Sequence, residues 1–98
     1  DARAVPVLPG AWEAADACLY TAAGQRNRNH TGPFVRFENV PFPMEEILFD
    51  PQTSGGLLLA AAPQKAEALA RELRAAGLPA AIVGEIRDAQ PTEITVKY

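Results

Sequence analysis

The sequence predicts an α+β fold with one mixed β-sheet and helices packed on it. Two apolar runs, residues 57–62 and 80–86, are typical of strands that are buried on both faces. The segment between them has apolar residues at helical spacing, which predicts a strand–helix–strand unit with a right-handed crossover if its strands are parallel. Residues 94–98 alternate apolar and polar side chains, as expected of a half-exposed edge strand.

The first twenty residues are predicted to contain a strand and then a helix. The strand, residues 2–8, carries β-branched residues, and Pro6 interrupts it or keeps it at a sheet edge. The helix covers residues 11–19. Its apolar face consists of Trp12, Ala15 and Leu19. Cys18 belongs to this helix and is interpreted as a small buried hydrophobic residue rather than a nucleophile.

The middle of the chain is predicted to be its least regular part. Glycines and prolines interrupt residues 20–42, and a loop of this length is often functional or held against a neighbour. Within it, residues 34–37 are predicted to form a brief extended segment. Residues 43–49 are predicted to form a short helix that begins with Pro43, because the first helical position needs no N–H donor.

The clearest predicted helix runs from Pro63 to Ala76. The apolar stripe of this helix consists of Ala66, Leu69, Ala70, Leu73 and Ala76. Gly77 is expected to be the left-handed residue that ends it, and Pro79 prevents its continuation.

Composition and charge exclude several classes of protein. The formal net charge is -3, which does not fit a protein that binds nucleic acid or an anionic membrane surface. No apolar run approaches the roughly 20 residues that span a bilayer. A single cysteine cannot form an internal disulfide, so the chain is expected to be cytoplasmic. One histidine and one cysteine also do not make a zinc site.

The stretch DPQTSGG, residues 50–56, is the candidate binding segment. It lacks the lysine of a P-loop and the spacing of a dinucleotide-binding GxGxxG turn. One interpretation is a nest of backbone N–H groups around Gly55 and Gly56, beside the hydroxyls of Thr53 and Ser54. The other is a purely structural turn, in which the glycines permit an unusual backbone or a close approach. The residues alone leave both interpretations open.

The remaining polar candidates give weaker signals. Arg26, Arg28 and His30 alternate with asparagines and are interpreted as a solvated basic loop. The adjacent acids Glu45 and Glu46 are expected to face solvent from their short helix. The residues alone therefore predict a soluble α+β domain without a complete active site.

Four motifs together resemble one known family. DPQTSGGLL at residues 50–58 resembles the signature of the C-terminal domain of selenophosphate synthetase (selenide, water dikinase). VPVLPGAWEAA, GQRNRNH and LRAAGLPAAIVGEI resemble further segments of that family in the same order, so the resemblance covers nearly all of residues 4–87. The family belongs to the aminoimidazole ribonucleotide synthetase-related superfamily, which pairs an N-terminal dimerising domain with a C-terminal α/β domain. One departure is Ala23, which stands where the family pattern has a glycine.

The resemblance implies that residues 1–98 are a single domain, the C-terminal fragment of a longer two-domain enzyme and therefore truncated at its N-terminus. Full-length members make selenophosphate from selenide, ATP and water, and they use Mg2+. The reactive cysteine or selenocysteine and the magnesium-binding aspartates belong to family segments that this chain does not match. The resemblance thus implies no catalytic or metal-binding residue here, and an isolated chain that is inactive and carries no bound cofactor.

The resemblance also suggests roles for the candidate residues. The turn at residues 53–56 would face the interdomain cleft, and Arg26 and Asn27 would approach phosphate or the partner domain. The alternatives are a purely structural interface domain and a paralogous ATP-dependent enzyme of the same superfamily. The expected partners are the chain's own N-terminal domain and a second subunit, with neither nucleic acid nor membrane. A sheet face left uncovered is expected to self-associate.

Overall fold

The structure, a computed structural model, describes residues 1–88 and 94–98 and confirms the α+β class. Its elements in chain order are a 3₁₀ turn (Ala2–Ala4), α1 (Ala11–Asp16), α2 (Ala22–Thr31), a second 3₁₀ turn (Gly32–Phe34), β1 (Val35–Glu38), α3 (Phe42–Phe49), α4 (Pro63–Ala75) and β2 (Ile94–Lys97). Within this part of the chain, no helix has both the length and the apolar character that crossing a membrane requires.

Strands β1 and β2 form a small parallel sheet. Their register pairs Val35 with Ile94 at one end and Glu38 with Lys97 at the other. Both strands lie within one residue of the segments that the sequence predicts. The described residues contain only this parallel pair, whereas the sequence predicts a mixed sheet. Lys97 is exposed as predicted, and its Nζ lies 3.1 Å from a Glu38 carboxylate oxygen, a surface ion pair that contributes about 1 kcal/mol at most.

Helix α2 lies in a region that the sequence pattern predicts to be a loop. Its N-cap is Thr21, whose hydroxyl accepts a hydrogen bond from the Gly24 N–H at 2.9 Å. Such a cap stabilises a helix by about 1 kcal/mol. The helix is polar on nearly every face, so it has no apolar stripe that periodicity can detect. The loop prediction for residues 20–42 is therefore wrong over Ala22–Thr31.

The other three helices lie close to their predicted positions. Helix α1 is shorter than predicted because Cys18 has a left-handed φ of 62°, which ends the helical path. Helix α3 begins at Phe42, one residue before Pro43. Helix α4 ends at Ala75, and Gly77, with a φ of 81°, is the left-handed residue that the sequence predicts after it.

Within the described residues, the strands predicted at 2–8, 57–62 and 80–86 do not form. The segment 2–8 begins with the 3₁₀ turn at Ala2–Ala4. Because no strand forms on either side of α4 among the described residues, the predicted strand–helix–strand unit is absent there. Leu57 and Leu58 are 85% and 87% exposed. A strand buried on both faces needs hydrogen-bonding neighbours and a covering layer on each side. The described residues supply neither the neighbouring strands nor the covering layers. An apolar run alone is therefore not sufficient to form a buried strand.

Helix α3 is the centre of the core because it contacts both α1 and α2. It contributes the buried side chains of Met44, Glu46 and Phe49. Phe37 of β1 packs edge-to-face on Phe49, with ring centroids 5.6 Å apart. Phe49, the last residue of α3, is therefore buried in the core, and the segment after α3 begins at this fixed residue.

Candidate functional site

The predicted binding segment, residues 50–56, is a mostly exposed turn after the C-terminus of α3. The Gly55 N–H donates to the Gln52 carbonyl oxygen at 2.8 Å, and Ser54 has a left-handed φ of 54°. A Cβ on Gly55 would lie 2.8 Å from both Cβ and the carbonyl oxygen of Gln52, whereas one on Gly56 would meet nothing within 4 Å. Close backbone approach thus explains the glycine at position 55, and nothing in the structure explains the glycine at position 56.

The turn presents two hydroxyl groups to solvent. Thr53 and Ser54 are both exposed. Within residues 1–88 and 94–98, neither side chain has a hydrogen-bond partner, so both can contact a ligand. The Gly55 N–H is already engaged inside the turn and is not offered to one. The ligand-binding capacity of the turn therefore lies mainly in its hydroxyls.

The structure places Arg26 and Asn27 on helix α2 and brings that helix to the base of the turn. The Asn27 side-chain amide donates to the Phe49 carbonyl oxygen at 2.9 Å. This bond satisfies one of the carbonyl groups that the end of α3 leaves without a helical partner. Arg26, one residue earlier, is exposed and has no partner among the described residues. Asn27 is thus a structural residue here, and Arg26 is available to a ligand.

A second contact joins α2 to the first residue of the turn. The Thr21 hydroxyl donates to a carboxylate oxygen of Asp50 at 2.7 Å. Asp50 is the C-cap of α3, and the bond holds its carboxylate beside the N-terminus of α2. A negative charge is favourable there because the helix dipole is positive at that end. Sequence reasoning missed this pair, although a threonine before a polar helix is a typical N-cap signal.

Arg28 links α2 to the buried face of α3. Its guanidinium lies 2.9 Å from Glu45 (Nη1 to Oε2) and 2.6 Å from Glu46 (Nη2 to Oε1). The second contact is mainly Coulombic, because Nη2 and Oε1 lack hydrogen-bond geometry with a partner. The guanidinium carbon also lies 4.7 Å from the centroid of the Phe49 ring. The Gln25 amide donates to the other Glu46 oxygen at 2.5 Å.

These contacts correct two predictions from the sequence. Arg28 does not belong to a solvated loop, and the Glu46 residue, 4% exposed, does not face solvent. Glu45 is also partly buried against Arg28, with 19% of its side chain exposed. The reason is that α2 is a helix, which puts Gln25 and Arg28 on one face opposite the two acids. Arg26 and His30 remain exposed, as expected of solvated residues.

Cys18 and Tyr20 lie outside this site. Cys18 is exposed, so its interpretation as a buried hydrophobic residue is wrong; α1 ends before it. A side-chain hydrogen bond with Cys18 is the largest of the effects that raise the pKa of Tyr20 to about 12. No group of three or more His, Cys, Asp or Glu residues suited to a metal ion occurs in the described part of the chain.

Comparison with known proteins gives a consistent set of relatives. Residues 19–97 match the family described as "AIR synthase related protein, C-terminal domain". The chain is 59% identical over 85 residues to a selenide, water dikinase of Agathobacter rectalis, covering 86% of this chain and 25% of that protein. A selenide, water dikinase of Desulfitobacterium hafniense is 42% identical over 94 residues, covering 96% and 28%. One of Pelobacter propionicus is 44% identical over 95 residues, covering 95% and 27%.

The chain spans about a quarter of the length of these curated relatives. No solved structure matches it significantly.

Proposed function

Since this chain belongs to the family of AIR synthase related C-terminal domains, we propose that it is the C-terminal domain of a two-domain selenide, water dikinase. That enzyme would make selenophosphate from selenide, ATP and water. In it, residues 1–98 would form one side of the interdomain ATP site, and the catalytic residues would lie elsewhere in the polypeptide. The observation that supports this role is the junction of α2 with the turn that follows α3.

Two groups that suit phosphate are close in sequence to one fixed contact. Asn27 is bonded to Phe49, and Arg26 is the residue before Asn27 on α2. Thr53 follows Phe49 by four residues. Arginine binds phosphate oxygens through paired N–H donors, and threonine and serine hydroxyls can donate to the same oxygens. We therefore assign the phosphates of ATP to Arg26 and to the turn at residues 53–56.

ATP supplies the phosphoryl group in this reaction, and the residues present fit its phosphates. The same residues do not fit Mg2+, because the described part of the chain has no cluster of three carboxylates, histidines or cysteines. The Asp50 carboxylate already accepts the Thr21 hydroxyl. We accordingly assign this chain the binding and orientation of phosphate, and we assign it no magnesium ligand.

The apolar segments around α4 fit the same proposal. Leu57, Leu58 and Ile86 are each at least 85% exposed. Exposed apolar segments of this kind are typical of surfaces that another protein surface covers. We propose that the N-terminal domain of the same polypeptide covers residues 57–62 and 80–86, and that the complete enzyme is a homodimer.

One alternative has an observation in its favour. Gly24, Asn27 and Gly55 are all used inside the fold rather than offered to a ligand. This pattern favours a purely structural domain whose DPQTSGG turn only shapes the interface. The two functions differ in what they require of Arg26 and Thr53, whose side chains have no structural partner among the described residues.

The test replaces these two side chains in a complete enzyme. This chain is substituted for the matching segment of the A. rectalis enzyme, and Arg26→Ala and Thr53→Ala are compared with Arg71→Ala, an exposed arginine on α4. We expect the KM for ATP to rise about tenfold for each site variant, as for one lost charge-assisted hydrogen bond, with an unchanged thermal midpoint. Arg71→Ala should behave as the parent. Full activity of both site variants, or loss of activity only through loss of stability, would favour the structural alternative.

A further inference from the structure

The bond between Thr21 and Asp50 joins two segments that are far apart in sequence. The Thr21 hydroxyl donates to Asp50 Oδ1 at 2.7 Å, 29 residues along the chain. The Thr21 hydroxyl oxygen in turn accepts a hydrogen bond from the Gly24 N–H at 2.9 Å. A Cβ on Gly24 would lie 3.3 Å from this hydroxyl and 3.5 Å from Asp50 Oδ1, so the glycine leaves room for the contact. We call the Thr21–Asp50 pair the clasp.

The clasp lies at the point where the turn begins. Asp50 has an extended backbone as the C-cap of α3, and Pro51 follows it directly. Proline has a fixed φ, so the orientation of Asp50 is passed on to the next residues with little freedom. Beyond Asp50, the described hydrogen bonds of the turn are internal, from Gln52 to Asp50 and from Gly55 to Gln52. Among the described residues, the clasp is thus the last hydrogen bond along the chain that ties the turn to α2.

From this geometry we infer that Thr21 and Asp50 are positioning residues for the turn at residues 53–56. The Thr21 hydroxyl already donates one hydrogen bond and accepts another, so it has no donor left for a ligand. Asp50 carries a negative charge, which would repel a phosphate rather than bind it. The pair therefore acts through the placement of Thr53 and Ser54 relative to Arg26. That the ligand is a phosphate rests on the proposed function, whereas the placement of Thr53 and Ser54 does not.

The experiment compares variants of the 98-residue chain by amide NMR, first without ligand. Asp50→Ala removes the clasp and keeps the N-cap bond of Thr21. Thr21→Val removes both, and Thr21→Ser restores the hydroxyl. The matched control is Thr31→Val, because Thr31 also bonds through its hydroxyl, to the Asn27 carbonyl oxygen at 2.9 Å, but within α2 alone.

We expect displaced amide signals at residues 53–56 in Asp50→Ala and Thr21→Val, and parental signals there in Thr21→Ser and Thr31→Val. Titration with Mg-ATP should then show an affinity about threefold to tenfold lower for the first two variants, the range for one lost hydrogen bond. Thr21→Val should also lower the urea midpoint because it loses the N-cap bond, whereas Asp50→Ala keeps that bond and therefore tests the clasp apart from the cap.

If the amide signals of residues 53–56 are unchanged in Asp50→Ala, the inference is overturned, regardless of the result of the Mg-ATP titration. If the parent chain does not respond to Mg-ATP while the turn amides still move in Thr21→Val and return in Thr21→Ser, the phosphate role fails and the positioning role stands. Equal displacement in Thr31→Val would also overturn the inference, because the effect would then come from the helix and not from the clasp.

Discussion

Residues 20–50 and residues 57–86 differ in a way that composition alone does not suggest. The first segment contains polar α2, yet it is tightly joined to α3 by Arg28, Gln25, Asn27 and Thr21. The second contains the most apolar runs of the sequence, yet these runs are exposed on both sides of α4. Specific polar partners are present for the first segment within the described chain, whereas the second has neither neighbouring strands nor a covering layer among the described residues.

The comparison separates two kinds of information in a sequence. An apolar run shows that burial is favourable but does not show which surface provides it. A buried ion pair is costly unless its partners and hydrogen bonds are in place. When the pair is found in place, it fixes the geometry of the elements that carry it. The polar junction therefore positions the candidate site, and the apolar segments indicate where another surface is needed.

The sharpest way to break the polar junction is to remove Glu46. Glu46→Ala removes the closest carboxylate of the partly buried Arg28 and the acceptor of the Gln25 amide, and we expect a loss of about 2–3 kcal/mol in the free energy of unfolding, since Glu45 still compensates the charge. The matched control is Glu45→Ala, which removes a more exposed contact of the same arginine and should cost about 1 kcal/mol. Urea unfolding followed by circular dichroism measures both. Equal losses for the two variants would contradict the expectation that the more deeply buried Glu46 contributes more to stability than Glu45.

A second pair of variants compares the apolar side chains of the two segments directly. Met44 is 2% exposed and Leu58 is 87% exposed. Met44→Ala should lower the free energy of unfolding by roughly 2–4 kcal/mol because it leaves a cavity in the core. Leu58→Ala should change it by less than about 0.5 kcal/mol, as surface substitutions do. A large loss for Leu58→Ala in dilute monomeric chain would show that residues 57–62 are buried after all.

The smallest effect expected concerns the two glycines of the turn. Gly55→Ala places a Cβ 2.8 Å from Gln52 and should cost about 1–3 kcal/mol or reshape the turn, as overpacking does. Gly56→Ala meets open space and should be close to neutral. Amide spectra of the two variants provide the measurement. A Gly56→Ala spectrum as strongly perturbed as that of Gly55→Ala would mean that both glycines are required.

Local signals predicted several elements correctly. Helix α4 has an apolar stripe and a left-handed glycine, Gly77, after its end, and both are local features. The alternation of residues 94–98 predicted β2. The DPQTSGG motif directed attention to the turn, and the family it resembles is the one that the comparisons identify.

The missed features depend on contacts between distant residues. Helix α2 has no apolar periodicity, so only its N-cap and its partners on α3 account for it. The burial of Glu46 follows from the position of Arg28, 18 residues earlier in the chain. The exposure of residues 57–62 follows from the lack of neighbouring strands among the described residues. Apart from the Thr21 N-cap, a single sequence contains no direct signal for these relations.

The most direct test of the proposed phosphate role is an amide-resolved NMR titration of the 98-residue chain with Mg-ATP. The isolated chain is not expected to retain ATP, but with excess Mg-ATP we predict saturable shifts confined to Thr53 through Gly56 and to Arg26 and Asn27 on α2. Such a result would show that the junction of α2 and the turn binds phosphate without the rest of the enzyme. A well-dispersed spectrum that does not respond to Mg-ATP, or shifts that map to α4 instead, would contradict the account.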